Sequence, residues 1–331
     1  MAKEFINFIT NGMTSLRYFI PLTIEANKRN IKSNYFISPS GKYHCPLAEK
    51  NYKHLKELSN LYNFDIFQAN EAKKYPGVFF LVEGDLIEFL DDHHKKISLT
   101  YMTDFSAPGV YEKYIDSVDH VIFPSKFIAD HYDKKSQKNL YLGLPKYDIT
   151  FDSNEIYKKY NINPSGKKAF VVLPRTRDIG KIDFGTLYGT LRESGYDIIT
   201  KTRGKDPFSQ KEVCGDYHFV DFSWYPHTSM ELIKISDFVV NFSSTSIKEC
   251  VMMRTPLINF HIKPFDKPMG FLYDYDFCEN YGNKINEKEI QNSIECLVNN
   301  SFKEEFDKAI ENHLFAGNSS KRILDHVLKN D

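Results

Sequence analysis

The feature that most limits the fold is an alternation of short apolar runs with helix-length segments, played through twice along the chain. The clearest run lies at 77–82, where Val78-Phe79-Phe80-Leu81-Val82 contains no polar position. A run without polar alternation reads as a strand covered on both faces, which is how strands sit in parallel sheets flanked by helices. In the first half, strands are expected at 5–10, 33–38, 64–67, 77–82, 97–102, 118–123 and 140–142. Helices at 16–28, 47–61, 86–94 and 126–133 are expected between them. Residues 143–148, with Gly143 and Pro145, are turn-rich, and a charged helix at 154–160 and a loop at 161–168 follow. The alternation then restarts, with strands expected at 169–173, 197–201, 218–222, 238–242 and 256–260. Helices are expected at 186–194, 229–235 and 246–253, and the tail reads as helical over 287–299, 302–314 and 321–329. The fold class predicted is α/β, with two doubly wound parallel sheets facing across a cleft. The expected division is 1–148 and 149–331, with the last helix able to pack back on the first domain. Ligands of such sheets sit outside the carboxyl ends of the strands, so the loops that follow strands are the ones to search.

Length and charge narrow the function classes. A chain of 331 residues is long enough for two domains, each of roughly 100–200 residues. Its 43 Lys and Arg balance 44 Asp and Glu, so no global field draws in nucleic acid, and no nucleic-acid partner is expected. The run at 77–82 is far shorter than the roughly 20 residues a membrane helix needs. The opening MAKEFINFITNG carries Asn7 and Asn11 and no small-residue cleavage site, and reads as a first strand rather than a signal peptide. The five cysteines, Cys45, Cys214, Cys250, Cys278 and Cys296, are odd in number and form no C-x-x-C pair. Free thiols in a reducing cytosol are the expectation, and with them a cytoplasmic location. The 27 Phe and 21 Tyr follow an AT-rich codon bias and do not cluster as a stacking platform. No Walker A sequence, no G-x-G-x-x-G after the first strand and no G-x-S-x-G elbow occurs. ATP hydrolysis, NAD chemistry and acyl transfer lose support accordingly.

The most informative loop follows the strand at 238–242. Ser243-Ser244-Thr245-Ser246 ends that strand, and 246–253 continues as a helix. Backbone N–H groups at a helix start attract anions, and small hydroxyl side chains add donors without blocking approach. The loop therefore reads as a phosphate seat. Glu249, three residues beyond Ser246, can face a ribose and accept both its hydroxyls. The same spacing is a capping box, and the two readings are compatible.

Residues 236–249, SDFVVNFSSTSIKE, followed by Arg254-Thr255-Pro256-Leu257-Ile258, resemble the nucleotide-binding segment of GT-B glycosyltransferases. The pattern is similar to capsule and teichoic-acid type transferases and to UDP-N-acetylglucosamine 2-epimerases. The epimerase pattern has more glycine in this loop, and this chain has none there. The resemblance supports about half of the chain by motif and the rest by architecture. It implies two Rossmann-like domains, the first on the acceptor side and the second binding the nucleotide donor. It also implies a sugar transferred from a nucleotide-activated donor to a glycan or lipid-linked acceptor. The alternatives within the resemblance are a nucleotide-sugar 2-epimerase, a polyol-phosphate transferase of the same fold and a catalytically inactive binding module.

Other loops fit the same pocket. The strand at 169–173 leads to Arg175, and the strand at 197–201 ends in Lys201, with Arg203 just beyond. Cations at adjacent strand ends neutralise a diphosphate, and Arg does so with two parallel hydrogen bonds. The resemblance implies a basic residue at each place, Arg175 and either Lys201 or Arg203. It also implies that the loop at 222–228 holds the base, which makes His227 a donor-binding candidate. His227 and Thr228 can equally serve as an N-cap pair for the next helix.

The first half should carry the acceptor and the catalytic base. Asn11 and Gly12 directly follow the first strand, and glycine permits close backbone approach. A carboxylate within hydrogen-bond reach of the acceptor hydroxyl suffices as base. Asp104, after the strand at 97–102, is the first choice, and Glu83 and Asp85, after 77–82, are the next. Asp274-Tyr275-Asp276 matches a metal-binding D-x-D, and Asp91-Asp92-His93-His94 has ligand-type residues. The two-domain pattern does not suit the first, and the second reads as a solvated helix end. No metal and no cofactor is expected, because the resemblance implies a diphosphate held by N–H groups and basic side chains. The Lys-rich segment 133–138 reads as a solvated face, with peripheral membrane contact as its functional alternative.

Overall fold

The computed structural model describes residues 5–38, 45–100, 111–131, 133–202, 208, 210–220, 224–262, 272–315 and 317–329. The chain forms two compact units, Met1–Ile149 with Glu311–Asp331, and Thr150–Ile310. The first unit contains β1 (Phe5–Thr10), β2 (Lys32–Ile37), β3 (Phe64–Gln68), β4 (Val78–Val82), β5 (Lys95–Leu99), β6 (His120–Phe123) and β7 (Asn139–Tyr141). They form one parallel sheet in the order β3-β2-β1-β4-β5-β6-β7. The second unit contains β8 (Lys167–Val172), β9 (Tyr196–Thr202), β10 (Tyr217–Val220), β11 (Phe238–Asn241), β12 (Leu257–Phe260) and β13 (Cys278–Tyr281). These are also parallel, in the order β10-β9-β8-β11-β12-β13.

Both sheets wind the same way. Each starts in the middle, runs outward, then returns to the other side of its first strand. The order reverses beside β1 in one unit and beside β8 in the other. That reversal splays the two connections apart and leaves a crevice at the carboxyl ends of the strands. The pairs to examine are thus β1 with β4, and β8 with β11.

The apolar strands are covered as their composition demands. Every residue of β4 and of β11 is buried. Two polar residues inside the first unit's central strands are accommodated by pairing. Asn7, fully buried in β1, lies opposite Asn34 of β2. Asn34 Nδ2 donates to Asn7 Oδ1 at 2.9 Å, and Asn7 Nδ2 donates to the Pro76 carbonyl at 3.1 Å. A buried amide so satisfied avoids the desolvation cost of an unmade hydrogen bond. The aromatic residues pack inward. Phe8 sits 4.8 Å from Phe19 and 5.5 Å from Phe80 between ring centroids, and Phe242 stacks on Phe260 at 5.7 Å. Phe242 directly precedes the serine loop.

The helices that flank the sheets are α1 (Leu16–Lys28), α2 (Glu49–Tyr62), α3 (Lys126–His131), α4 (Ser153–Tyr160), α5 (Phe184–Glu193), α6 (Thr228–Lys234) and α7 (Ile247–Met253). Helices Glu287–Asn299, Lys303–Ala309 and Ser319–Lys329 form the tail. Two expectations of local structure fail. The helix expected at 86–94 is only a 3-10 turn, Ile87–Phe89. The chain there passes through left-handed backbone at Glu83, Gly84 and Leu86, which an α-helix does not admit. β13 was not foreseen, because Cys278-Glu279-Asn280-Tyr281 has only one buried residue and no apolar alternation. Among the described residues, no helix is long and apolar enough to cross a membrane.

Candidate functional site

In the second unit, three neighbouring strands end side by side as β9, β8 and β11. Lys201 lies in β9, opposite Val172 at the end of β8. Arg175 follows β8 and opens the 3-10 segment Thr176–Lys181. Its side chain is exposed and, among the described residues, makes no hydrogen bond or ion pair. Arg203 lies outside the described residues. At the end of β11 the chain turns sharply through Ser243, whose φ is +50°. Three expected donor-side positions, Lys201, Arg175 and the 243–246 loop, therefore belong to adjacent strand ends.

The loop is anchored from below. Ser243 N–H donates to Asn259 Oδ1 at 3.1 Å, and Ser243 Oγ donates to the Phe260 carbonyl at 3.3 Å. The Ser244 carbonyl accepts from the Tyr273 hydroxyl at 3.0 Å and from Asn241 Nδ2 at 3.3 Å. Among the described residues, the N–H groups of Ser244 and Thr245 have no acceptor. Ser244 is half-buried and Thr245 exposed, so two adjacent donors remain available for an anion. With seven residues α7 has a short dipole, and the anion-binding capacity resides mainly in these loop donors.

The capping box does not form. Ser246 precedes α7 without a side-chain cap, and its Oγ lies 3.2 Å from Ser244 Oγ instead. Glu249 points elsewhere. Its side chain is 6% exposed, and Oε1 lies 3.9 Å from His227 Nδ1. His227 precedes α6 and makes no side-chain cap either, while its carbonyl accepts from Met230 N–H at 2.8 Å. The two candidate donor-side residues from separate loops, His227 and Glu249, thus meet in space. His261, at the end of β12, was not singled out from the sequence. It stands 6.1 Å from the Tyr273 ring between centroids, and burial holds its imidazole below the usual range.

In the first unit, the crevice between β1 and β4 brings Asn11 to Asp85. Asn11 Nδ2 donates to Asp85 Oδ1 at 2.9 Å, and Asn11 N–H approaches Oδ2 at 3.4 Å. Burial pushes the Asp85 carboxyl up, the Asn11 N–H opposes this, and nearby Glu88 adds to the rise. Gly12 is buried in extended backbone with φ −144°, a conformation open to any residue. Glu83 and Gly84 complete a tight turn, with Gly84 N–H on Ser98 Oγ at 3.2 Å. A Cβ at Gly84 would fall 2.3 Å from Tyr114 Cβ, so the turn packs with no room for a side chain there. Asp104 lies outside the described residues.

Asp91 and His94 of the second metal-type motif are otherwise engaged. Asp91 pairs with Lys73 at 3.0 Å, and His94 is fixed between Asp91 N–H at 2.9 Å and the Tyr75 carbonyl at 3.1 Å. Asp274 and Asp276 are exposed. Among the described residues, no group of three or more His, Cys, Asp or Glu is placed to hold a metal ion. In the Lys-rich segment, Lys134 pairs with Glu112, Lys135 with Asp133, and Lys138 Nζ donates to the Ile115 carbonyl.

No protein-family model matches the chain, and no curated protein matches its sequence. Solved structures do match over the full length. UDP-GlcNAc 2-epimerase from Neisseria meningitidis, bound to UDP-GlcNAc, aligns with a TM-score of 0.68 at 12% identity. The alignment covers 98% of this chain and 99% of that one. The wall teichoic acid polymerase TagF aligns with a TM-score of 0.68 at 16% identity, over 99% of this chain and 89% of that one. The glycotransferase of kitacinnamycin aligns with a TM-score of 0.66 at 10% identity, over 99% of both chains. Together with the two doubly wound sheets, these matches show that the chain has the GT-B fold.

Proposed function

We propose that the chain is a glycosyltransferase that moves a sugar from a nucleotide-activated donor to a glycan or lipid-linked acceptor without a metal ion. The supporting observation is the loop 243–246, whose Ser244 and Thr245 N–H groups have no acceptor among the described residues and lie beside the β8–β11 reversal. In this reading those N–H groups and the adjacent hydroxyls hold the donor diphosphate. Arg175, with Lys201 or Arg203, neutralises it. Glu249 accepts the ribose hydroxyls, and His227 lies on the base side. The bond between the anomeric carbon and the diphosphate oxygen breaks, and the fixed donors stabilise the charge that develops on that oxygen. The first unit supplies the acceptor side through Asn11 and Gly12, and a carboxylate there takes the acceptor hydroxyl proton. Asp104, Glu83 and Asp85 are the candidates for this base, and Asp85 has the surroundings of one, with burial raising its affinity for a proton.

A thermal-shift screen with UDP, GDP, CDP, CMP and TDP tests the donor seat. A nucleotide at about 100 times its dissociation constant stabilises the folded state by about 2.7 kcal/mol. The Glu249→Ala variant should then bind the selected nucleotide about tenfold or more weakly, the cost of a lost charge-assisted hydrogen bond. A variant with full affinity would remove Glu249 from the site.

A second reading is favoured by the full-length likeness to a UDP-GlcNAc 2-epimerase. It predicts turnover of a free UDP-sugar with no acceptor present, which product analysis of an acceptor-free incubation decides. A protein that binds no nucleotide at all would instead be a binding module of this fold.

A further inference from the structure

A row of asparagine side chains crosses the carboxyl ends of β11, β12 and β13. Asn241 and Asn259 are register partners, as are Asn259 and Asn280. Asn241 Nδ2 donates to Asn259 Oδ1 at 3.0 Å, and Asn259 Nδ2 donates to Asn280 Oδ1 at 3.2 Å. Asn280 Nδ2 ends the row on the Tyr273 carbonyl at 2.7 Å. Asn241 and Asn259 are both fully buried, in strands otherwise built from apolar residues. Apolar side chains would fill such positions without the cost of desolvating amides. The row therefore needs a reason beyond packing, and its hydrogen bonds to the neighbouring loop supply one.

The bonds that Asn241 and Tyr273 make to the loop at Ser244 capture its carbonyl. The Ser244 oxygen accepts from Asn241 Nδ2 and from the Tyr273 hydroxyl. The Thr245 oxygen accepts from Lys248 N–H at 3.1 Å, and the Ser246 oxygen from Cys250 N–H at 3.0 Å. Asn259 takes the Ser243 N–H and so fixes the left-handed residue at which the loop begins. The acceptors of Ser244, Thr245 and Ser246 are thus engaged, whereas the N–H groups of Ser244 and Thr245 are not, among the described residues. A loop held this way offers donors and hides acceptors, and oriented backbone N–H groups select anions.

We infer that Asn241, Asn259 and Tyr273 are positioning residues that make the 243–246 loop selective for a diphosphate, by engaging its carbonyl oxygens and fixing its entry. This rests on the donor seat of the preceding section and adds what shapes it. None of the three needs to touch the nucleotide.

The test uses the full chain and inorganic pyrophosphate, a probe free of any choice of base. Tyr273→Phe removes one oxygen and keeps the ring. It should weaken pyrophosphate binding in calorimetry by about fivefold to tenfold, the range for one neutral hydrogen bond. Its unfolding midpoint should stay near that of the wild type, and the Ser243 amide should exchange with solvent as before. Asn259→Ala should speed exchange of the Ser243 amide by at least about tenfold, because its acceptor is gone. A purely structural role would move the unfolding midpoints and leave pyrophosphate affinity, read well below them, unchanged. Wild-type affinity in Tyr273→Phe together with wild-type Ser243 exchange in Asn259→Ala overturns the inference and leaves the donor seat standing. A wild-type protein that does not bind pyrophosphate at all overturns the donor seat and the anion selectivity with it.

Discussion

Asp85 combines two properties that a proton acceptor needs. Its oxygens are oriented by Asn11, and burial makes its charged form costly. A carboxyl with a raised pKa is protonated at low pH and becomes competent as pH rises through that value. If Asp85 is the base, the acid limb of the pH–rate profile lies above the roughly 3.9 of an ordinary aspartate. Asp85→Asn should lower turnover by about 100-fold to 10,000-fold, the usual worth of a general base. Nucleotide affinity should be unchanged, since the proposed donor residues belong to the other unit. A variant that retains turnover and the same acid limb would return the role to Asp104 or Glu83. Glu249 is the corresponding residue proposed for the donor side. Its carboxylate is nearly enclosed and lies beside His227 rather than capping the helix start.

The connection from β4 to β5 shows how a polar segment is held without being a helix. His94 is the clamp. Its Nδ1 takes the Asp91 N–H, and Nε2 donates to the Tyr75 carbonyl. Burial, with the neighbouring His93, holds the ring below the usual 6.5. The folded state therefore binds this proton more weakly than the unfolded chain does. Stability is fully present above the unfolded value and falls as pH drops through it. Urea unfolding measured from above pH 7 down to about pH 5 should show this loss, and His94→Gln should flatten it. An unchanged slope in the variant would show that the proton is taken up elsewhere. The same segment marks the limit of what the sequence reveals. Its charges and apolar spacing suggest a helix at 86–94, but the left-handed turn that prevents one is set by Ser98 and Tyr114, from later in the chain. β13 escaped for a similar reason, because an edge strand needs few apolar residues to pair with β12. The serine loop was legible, since small hydroxyl residues directly after a buried strand form a local pattern. The asparagine row was not, because its members are 18 and 21 residues apart and meet only through strand register.

Each unit has its own core, one built around Phe79, Phe123 and Tyr111 and the other around Phe238, Leu187 and Ile258. The strand order is the same in both as far as the sixth strand, yet the reversal points carry different chemistry. Beside β1 a half-buried carboxylate meets an asparagine, and beside β8, among the described residues, open N–H groups and an exposed arginine lie at neighbouring strand ends. In the proposed function, proton transfer and anion binding are divided between the two sheets. The alternation and the loop residues led to the expectation of one strand-end site per sheet, while the partners that define each crevice came only with the fold. The proposed division leads to a prediction about where a nucleotide acts. Binding that favours only the folded state of one unit raises the free energy of opening there. Hydrogen exchange with and without the nucleotide selected by the thermal screen should show slower exchange in β8, β11 and β12. At about 100 times the dissociation constant, amides that exchange only through unfolding of that unit should slow by about 100-fold. The loop 243–246 should gain protection directly, because its donors acquire an acceptor. Slowing centred on β1, β4 and β5 instead would move the nucleotide to the crevice of Asp85 and reverse the roles proposed for the two units.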